Sequence, residues 1–276
     1  MKLHEGGRLN RLGKVLAKPL SRILCTSMTG NYVSLAEAYL GILLGKGAGT
    51  GWALDAEVQG ARSMIKGQRP VLFDVGANVG EWTLRLRELF QESEIYLFEP
   101  QPACLDSLYA LNLQRARIIP HAVSSSGGQR LQLFTPGDGA GTASLYERGD
   151  SYFQAETYSP IDVTTVTIDE VVAKHQVKRI DFMKLDVEGH ELSALQGARK
   201  TLESQIVQAL SFEFGSGNIN SRTFFRDFWN LLSPLGFQMY RIQPCGRLQP
   251  IREYYEDCEY FRGVSNYVAC LKPLQL

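Results

Sequence analysis

Two stretches of this sequence put ionisable side chains at spacings that could do chemistry. The later one is Lys184-Leu185-Asp186-Val187-Glu188-Gly189-His190-Glu191, which closes an apolar segment over residues 179–187 that reads as a strand. Lys184 and Asp186 are two positions apart and so share one face of that strand. Charges inside a buried strand are costly unless paired or used. A Lys184–Asp186 or Lys184–Asp74 pair would satisfy them structurally, whereas their place at the strand's ligand-facing end points to function. Glu188 and Glu191 flank a helix start, where acids complement the helix dipole or else meet a substrate. His190 fits a base, a metal ligand or a surface residue. Glu213, in Ser211-Phe212-Glu213-Phe214-Gly215, closes the next apolar run and is expected to face the same crevice.

The earlier stretch is Val71-Leu72-Phe73-Asp74-Val75-Gly76-Ala77-Asn78-Val79-Gly80-Glu81-Trp82-Thr83. A short apolar run, a glycine-punctuated turn and a helical pattern with Leu84, Leu86, Leu89 and Phe90 make a nucleotide-binding element. Gly76 and Gly80 would let backbone approach a ligand where a Cβ would collide with it. The spacing Asp-x-Gly-x-Asn-x-Gly is not the dinucleotide fingerprint Gly-x-Gly-x-x-Gly. Asp74 beside the loop disfavours a diphosphate and favours a ligand that carries a cation. S-adenosylmethionine, with its sulfonium and ammonium and no phosphate, suits such a loop better than NAD. Downstream, Ile95-Tyr96-Leu97-Phe98-Glu99-Pro100 ends in an acid at the offset where a carboxylate takes ribose hydroxyls. The predicted donor site takes in Asp74, Gly76, Ala77, Asn78, Gly80 and Thr83, then Glu99 and Pro100. Ala122, Val123 and Ser124 are expected near the adenine, and Asp186 near the methyl group.

Strands and helices must alternate to hold these residues together. Strands are predicted over residues 71–75, 95–98, 117–123, 179–187, 206–214, 237–242 and 267–271. Helices separate most of them, and residues 130–134 and 161–166 read as paired or edge strands. This pattern predicts a mostly parallel, seven-stranded sheet with helices on both faces, and ligands beyond the carboxyl ends of its strands. Residues 136–160, rich in Gly, Ser, Thr and Tyr, are too long for an idle connection. They read as an acceptor lid or as a disordered excursion. Tyr146, Tyr152 and Tyr158 could stack on a ring substrate, and Ser144, Tyr146 and Glu188 are the substrate-side candidates.

The chain has 276 residues, with Lys+Arg 29 balanced by Asp+Glu 29, so bulk charge does not point to nucleic acid. Five scattered cysteines without a C-x-x-C pair favour a reducing compartment and argue against structural zinc. No apolar run approaches the length of a membrane helix, and residues 1–10 are polar rather than signal-like. The cytoplasm is the expected location. Residues 1–69 read as a helical, basic N-terminal extension to a domain over residues 70–276. Lys2, Arg8, Arg11, Lys14, Lys18 and Arg22 stand against Glu5, and Leu9, Leu12, Val15 and Leu16 recur at helical spacing until Pro19 interrupts. Such a segment lies on an anionic membrane surface, or packs on its own domain or on a partner subunit. Gly45, Gly47, Gly49 and Gly51 then read as a flexible connection.

Taken as a set, Asp74-Val75-Gly76-Ala77-Asn78-Val79-Gly80, Phe98-Glu99-Pro100, Thr165-Val166-Thr167-Ile168-Asp169 and Lys184 to Glu191 resemble the FkbM methyltransferases. The resemblance covers residues 70–272 in the family's motif order and leaves out the basic N-terminal region. It implies a class I, Rossmann-like methyltransferase fold with S-adenosylmethionine as donor and S-adenosylhomocysteine as product. The implied acceptor is a hydroxyl on a small molecule, a sugar or a polyketide-type metabolite. An alcohol is a weak nucleophile at neutral pH, so a base within reach of its oxygen is expected. Asp186 is the first candidate and Glu213 or His190 the second, while Lys184 would position Asp186 or stabilise the developing alkoxide. A divalent metal held by Asp186, Glu213 and neighbours is another way to lower the acceptor's pKa, which the resemblance does not require. An NAD-dependent oxidoreductase and a non-catalytic donor-binding module are the rival readings.

Overall fold

The computed structural model describes residues 8–137, 139–147 and 158–272. Tyr152 and the middle of the expected lid lie outside the described residues. The chain divides into two compact units, Met1–Leu43 and Leu44–Leu276. The first holds α1 (Arg8–Leu24) and α2 (Gly30–Leu43). Contrary to expectation, α1 runs through Pro19. The proline deprives the Val15 carbonyl of its partner, but on an exposed helix water can take that carbonyl.

The second unit opens with α3 (Gly49–Met64), which precedes β1 (Val71–Val75) and α4 (Glu81–Leu89). Helix α3, read from sequence as part of the extension, belongs to this unit because Ala56, Val58, Ala61 and Ile65 are buried in its core. The glycines ahead of it are no loose linker. Gly45 and Gly47 have φ of +84° and +73°, and a Cβ on either would overlap the carbonyl of Ile242 or of Arg262. The chain goes on through β2 (Glu94–Phe98), α5 (Pro102–Ala110) and β3 (Ala116–Ile119) to the short β4 (Ala122–Val123). Pro120 and His121 split the single strand expected over residues 117–123. Proline offers no donor to continue a ladder, and β4 leaves for a second sheet with β5 (Arg130–Thr135) and β6 (Ser159–Val166).

Helix α6 (Ile168–His175), with a full capping box between Thr167 and Glu170, leads into β7 (Phe182–Leu185). The two short helices α7 (Glu191–Gln196) and α8 (Arg199–Glu203) precede β8 (Ala209–Gly215), followed by α9 (Gly217–Ser221) and α10 (Phe225–Leu232). Strands β9 (Gln238–Ile242), β10 (Leu248–Ile251) and β11 (Val264–Cys270) complete the main sheet, ordered β10-β9-β11-β8-β7-β1-β2-β3. It has eight strands rather than seven, because β10 adds an antiparallel edge to β9. Its sequence Leu-Gln-Pro-Ile carries a proline of the kind tolerated only at an edge. The five strands from β3 to β8 are parallel, and β11 inserts antiparallel between β8 and β9.

Strand β1 lies centrally and is buried on both faces, which accounts for its near-continuous apolar run. Leu72 packs with Trp82, Leu86 and α3, while Phe73 packs with Tyr96, Phe98 and Ile168 on the other side. Phe212 stacks on Phe228 at 4.6 Å, and Phe225 lies 4.7 Å from Tyr267. Such pairs contribute about 0.5–1.5 kcal/mol each beyond area burial. Phe224, which caps the start of α10, is exposed and stands outside this cluster. The parallel strands are added outward from β1 in one direction to β2 and β3 and in the other to β7 and β8, so the strand order reverses between β1 and β7 and a crevice opens at their carboxyl ends.

The packing of Gly47 gives a test. Gly47→Ala combines a left-handed backbone with an overlap on Arg262, whereas Gly67, at φ +96°, has nothing near its would-be Cβ. Urea unfolding should show Gly47→Ala costing more than the about 1–3 kcal/mol of a left-handed non-glycine residue alone, and more than Gly67→Ala. Equal costs would contradict the close packing.

Candidate active site

The crevice is a cleft of about 360 Å³ floored by the loops after β1, β2 and β7. After β1 the chain turns through Gly76 (φ +84°), Asn78 (φ +48°) and Gly80 (φ +88°). The amides of Gly76 and Ala77 both donate to the Phe98 carbonyl at 3.0 Å, which ties this loop to the end of β2. A Cβ on Gly76 would overlap the Asp186 carbonyl, and one on Gly80 would press on Leu108 and Leu111. Both glycines therefore serve the approach of protein to protein, and Gly76 also lines the cleft.

Glu99 closes one end of the cleft with a carboxylate that cannot swing. Its Oε2 accepts from the Asn78 amide and its Oε1 from the Gln101 amide, both at 2.8 Å. Burial raises its pKa, and the two amides oppose that rise. Each carboxylate oxygen keeps a further acceptor site, and Glu99 lines the cleft together with Asn78, Pro100 and Gln101. Next to it, Ala122, Val123, Leu133, Ala143 and Leu145 form an apolar wall suited to a flat ring.

The other end is charged. Cross-strand register sets Asp74 beside Lys184, Lys184 beside Ser211, and Glu213 beside Asn266. Lys184 Nζ lies 2.8 Å from Asp186 Oδ2 and 4.0 Å from Asp74 Oδ1. Burial alone would lower the lysine's pKa, but Asp186, Asp74 and Glu57 more than reverse this and keep it charged. Asp74 is fully buried, and its Oδ2 accepts from the Thr83 hydroxyl at 2.6 Å. Burial raises Asp74 above the usual carboxylate range, against the pull of Lys184. Glu213 is raised further, by burial and by the neighbouring acids Asp186 and Glu188. Glu57 reaches in from α3, accepts from Asn266 Nδ2 at 2.5 Å, and is pushed up to about 7 by burial. Asp186, Glu188 and Glu213 each offer an oxygen within 4.8 Å of one another, a spacing that a divalent cation could bridge.

The loop after β7 is held from behind. Glu191 is fully buried and raised to about 8 by burial, and its Oε1 accepts the amides of Val187 and Gly189 at 3.1 and 3.0 Å. Ser144 donates its hydroxyl to the Glu188 carbonyl at 2.8 Å. His190 hydrogen-bonds to Ser124 Oγ through Nε2 and to the Tyr146 hydroxyl through Nδ1, each at 3.0 Å. Burial lowers its pKa to about 4, so the ring is neutral.

A sequence profile described as the methyltransferase FkbM domain matches residues 74–239. The chain belongs to the FkbM methyltransferase family. Among curated relatives it is similar to the 2-O-methyltransferase NoeI of Sinorhizobium fredii, at 27% identity over 51% of this chain and 62% of that protein. It is similar as well to the hexuronic acid methyltransferase AglP of Haloferax volcanii, at 31% identity over 49% of this chain and 52% of that one. The matched region thus spans only about half to three-fifths of these relatives. Among solved structures, a SAM-dependent O-methyltransferase from Thermotoga maritima aligns over 81% of this chain and 67% of its own at 12% identity, with a TM-score of 0.41.

Within this FkbM domain the expected site residues divide into two groups. Gly76, Ala77, Asn78, Glu99, Pro100, Ala122 and Val123 line the cleft, as do Lys184, Asp186, Glu188 and Glu213. Asp74, Gly80, Thr83, Ser124, Ser144, Tyr146 and His190 are not among its lining residues. Asp74 and Thr83 bond each other beneath the floor. Ser124, Tyr146 and His190 form a chain of hydrogen bonds behind the β7 loop, and Ser144 docks on its backbone. His190 is thereby removed as a base, with both ring nitrogens engaged, and Ser144 and Tyr146 as substrate contacts. Sequence reasoning missed Glu57, Gln101, Trp82 and Asn266. Glu57 had one signal, an acid between Ala56 and Val58 on the apolar stripe of α3.

The raised value for Glu57 has a pH consequence. Its folded pKa of about 7 exceeds its ordinary 4.5, so the folded chain holds the extra proton between these values. The resulting stability is complete at low pH and is lost as pH rises through 7. Glu57→Gln should flatten that decline in thermal melts compared between about pH 5 and pH 8. An unchanged slope would show that Glu57 titrates normally.

Proposed function

We propose that this chain is an S-adenosylmethionine-dependent O-methyltransferase that acts on a hydroxyl of a sugar-type small molecule. The observation that carries this reading is one cleft with a pinned ribose-type acceptor, Glu99, at one end and the Lys184–Asp186 pair at the other. Ala77, Asn78 and Glu99 would hold the nucleoside, with Ala122 and Val123 beside the adenine. Asp186 and Glu188 on the cleft wall suit a ligand with a sulfonium and an ammonium, and the same acids disfavour a dinucleotide's diphosphate. When bound, S-adenosylmethionine supplies a methyl group on a positively charged leaving group.

What remains for the protein is alignment and the acceptor's proton. Asp186 faces the cleft, and Lys184 fixes the direction of its carboxylate. Asp186 therefore takes the proton from the acceptor hydroxyl, with Glu213 and Glu57 behind it as further proton-holding groups. The names of NoeI and AglP, a 2-O-methyltransferase and a hexuronic acid methyltransferase, favour a sugar hydroxyl as acceptor. All five cysteines are free thiols, which supports a reducing, cytoplasmic setting.

Calorimetric titration with adenosylhomocysteine and with NADH tests the donor. Adenosylhomocysteine should bind, NADH should not, and Glu99→Ala should weaken adenosylhomocysteine binding by about 1–3 kcal/mol. Binding of NADH alone would overturn the reading. A methyl-transfer screen over hydroxylated glycans tests the chemistry. On the acceptor found, Asp186→Asn should keep adenosylhomocysteine affinity and lose roughly 10²–10⁴-fold in kcat. Tight donor binding with no transfer to any hydroxylated acceptor would favour a non-catalytic donor-binding module.

A further inference from the structure

The unit Met1–Leu43 carries twelve of the eighteen large hydrophobic side chains that stand exposed among the described residues. On α1, Val15, Leu16, Leu20, Ile23 and Leu24 are exposed, with Ile23 at 68%. At 100° per residue these five fall within one half of the helix, while Lys18, Ser21 and Arg22 fall on the other. Helix α2 buries none of its residues and leaves Tyr32, Val33, Leu35, Tyr39, Leu40 and Leu43 in the open. An apolar surface of this extent calls for a partner phase.

Charge selects the phase. Helix α1 contains five Lys or Arg residues and no acid. Residues 1–43 hold six Lys or Arg against two Glu, leaving 23 against 27 Asp or Glu over residues 44–276. The first unit is therefore +4 and the second −4 in a chain of zero formal charge. An anionic surface attracts the one and repels the other. A like-charged first unit of a second copy would be repelled. Helix length sets the mode of attachment. The 14 residues of α2 reach about 21 Å, short of the roughly 30 Å hydrocarbon core, and no described helix is long and apolar enough to cross a membrane. Amphipathic helices of this kind lie in the interface, with lysine and arginine stems reaching up to the headgroups. Tyr32 and Tyr39 have the mixed character found at that depth.

We propose that α1 and α2 form a membrane-surface anchor that binds the face of an anionic bilayer, with α1 in the interfacial plane. The test is co-sedimentation of the full chain with vesicles of phosphatidylcholine alone or containing phosphatidylglycerol. The chain should pellet with the anionic vesicles, far less with the neutral ones, and less as salt rises. Leu20→Glu/Ile23→Glu should abolish binding, and Lys18→Ser/Arg22→Ser should weaken anionic binding by roughly 10–30-fold. Both variants should bind adenosylhomocysteine like the parent, which confirms that the second unit is folded. A full chain that stays in the supernatant with anionic vesicles would overturn the proposal, as would a Leu20→Glu/Ile23→Glu chain that binds like the parent. Self-association in analytical ultracentrifugation that this variant abolishes, without vesicle binding, would assign the surface to a second copy instead.

Discussion

The site depends on one buried cation. Lys184 sits within the parallel sheet, paired with Asp186 and close to Asp74 and Glu57. With Glu213 also at hand, four acids crowd one lysine, and burial disfavours the charged form of each acid that lies deep. The physical answer is a division of labour. Glu57, Asp74 and Glu213 rise toward the protonated form, and Asp186, the partner bonded directly to the lysine, faces the cleft. A buried pair of this kind is weak evidence for stability in itself, yet breaking it leaves charge uncompensated. Its place at the cleft end of β7 gives Asp186 a carboxylate of fixed direction.

The three loops that frame the cleft are locked to one another, which makes its shape a property of the whole floor. Gly76 meets the Asp186 carbonyl without room for a Cβ, and the Phe98 carbonyl takes two amides from the first loop. Glu99 returns the connection through Asn78. Behind the β7 loop, Glu191 binds two amides of the turn, and the Ser124–His190–Tyr146 chain joins it to the second sheet. That sheet also carries Leu133, which joins Ala143 and Leu145 in the apolar wall. The Glu99 end and the Lys184–Asp186 end of the cleft thus share one hydrogen-bonded frame.

Much of this was legible in the sequence. Period-two spacing put Lys184 and Asp186 on one face, where they pair at 2.8 Å, and the alternative partner Asp74 lies 4.0 Å from the same lysine. Glu99 stood out by its offset from the glycine turn. What was not legible arises from contacts distant in sequence. Nothing local distinguishes a glycine that admits a ligand from one that admits the Asp186 carbonyl. His190, Ser124 and Tyr146 come from three separate segments, so their mutual satisfaction appears only after folding. Glu57 lies ahead of every motif, and only the packing of α3 on the sheet brings it to the cleft. The Gly45–Gly47 segment looked like a linker because composition does not report that each glycine abuts a carbonyl.

A double-mutant cycle between Lys184 and Asp186, read by urea unfolding, tests the central claim most directly. Lys184→Met alone should destabilise the fold by about 3–5 kcal/mol, since it leaves buried carboxylates without their cation. Adding Asp186→Asn should return a measurable part of that loss, the signature of two groups that interact. Additive effects, or a Lys184→Met chain as stable as the parent, would contradict the account of Lys184 as the cation that holds the site together.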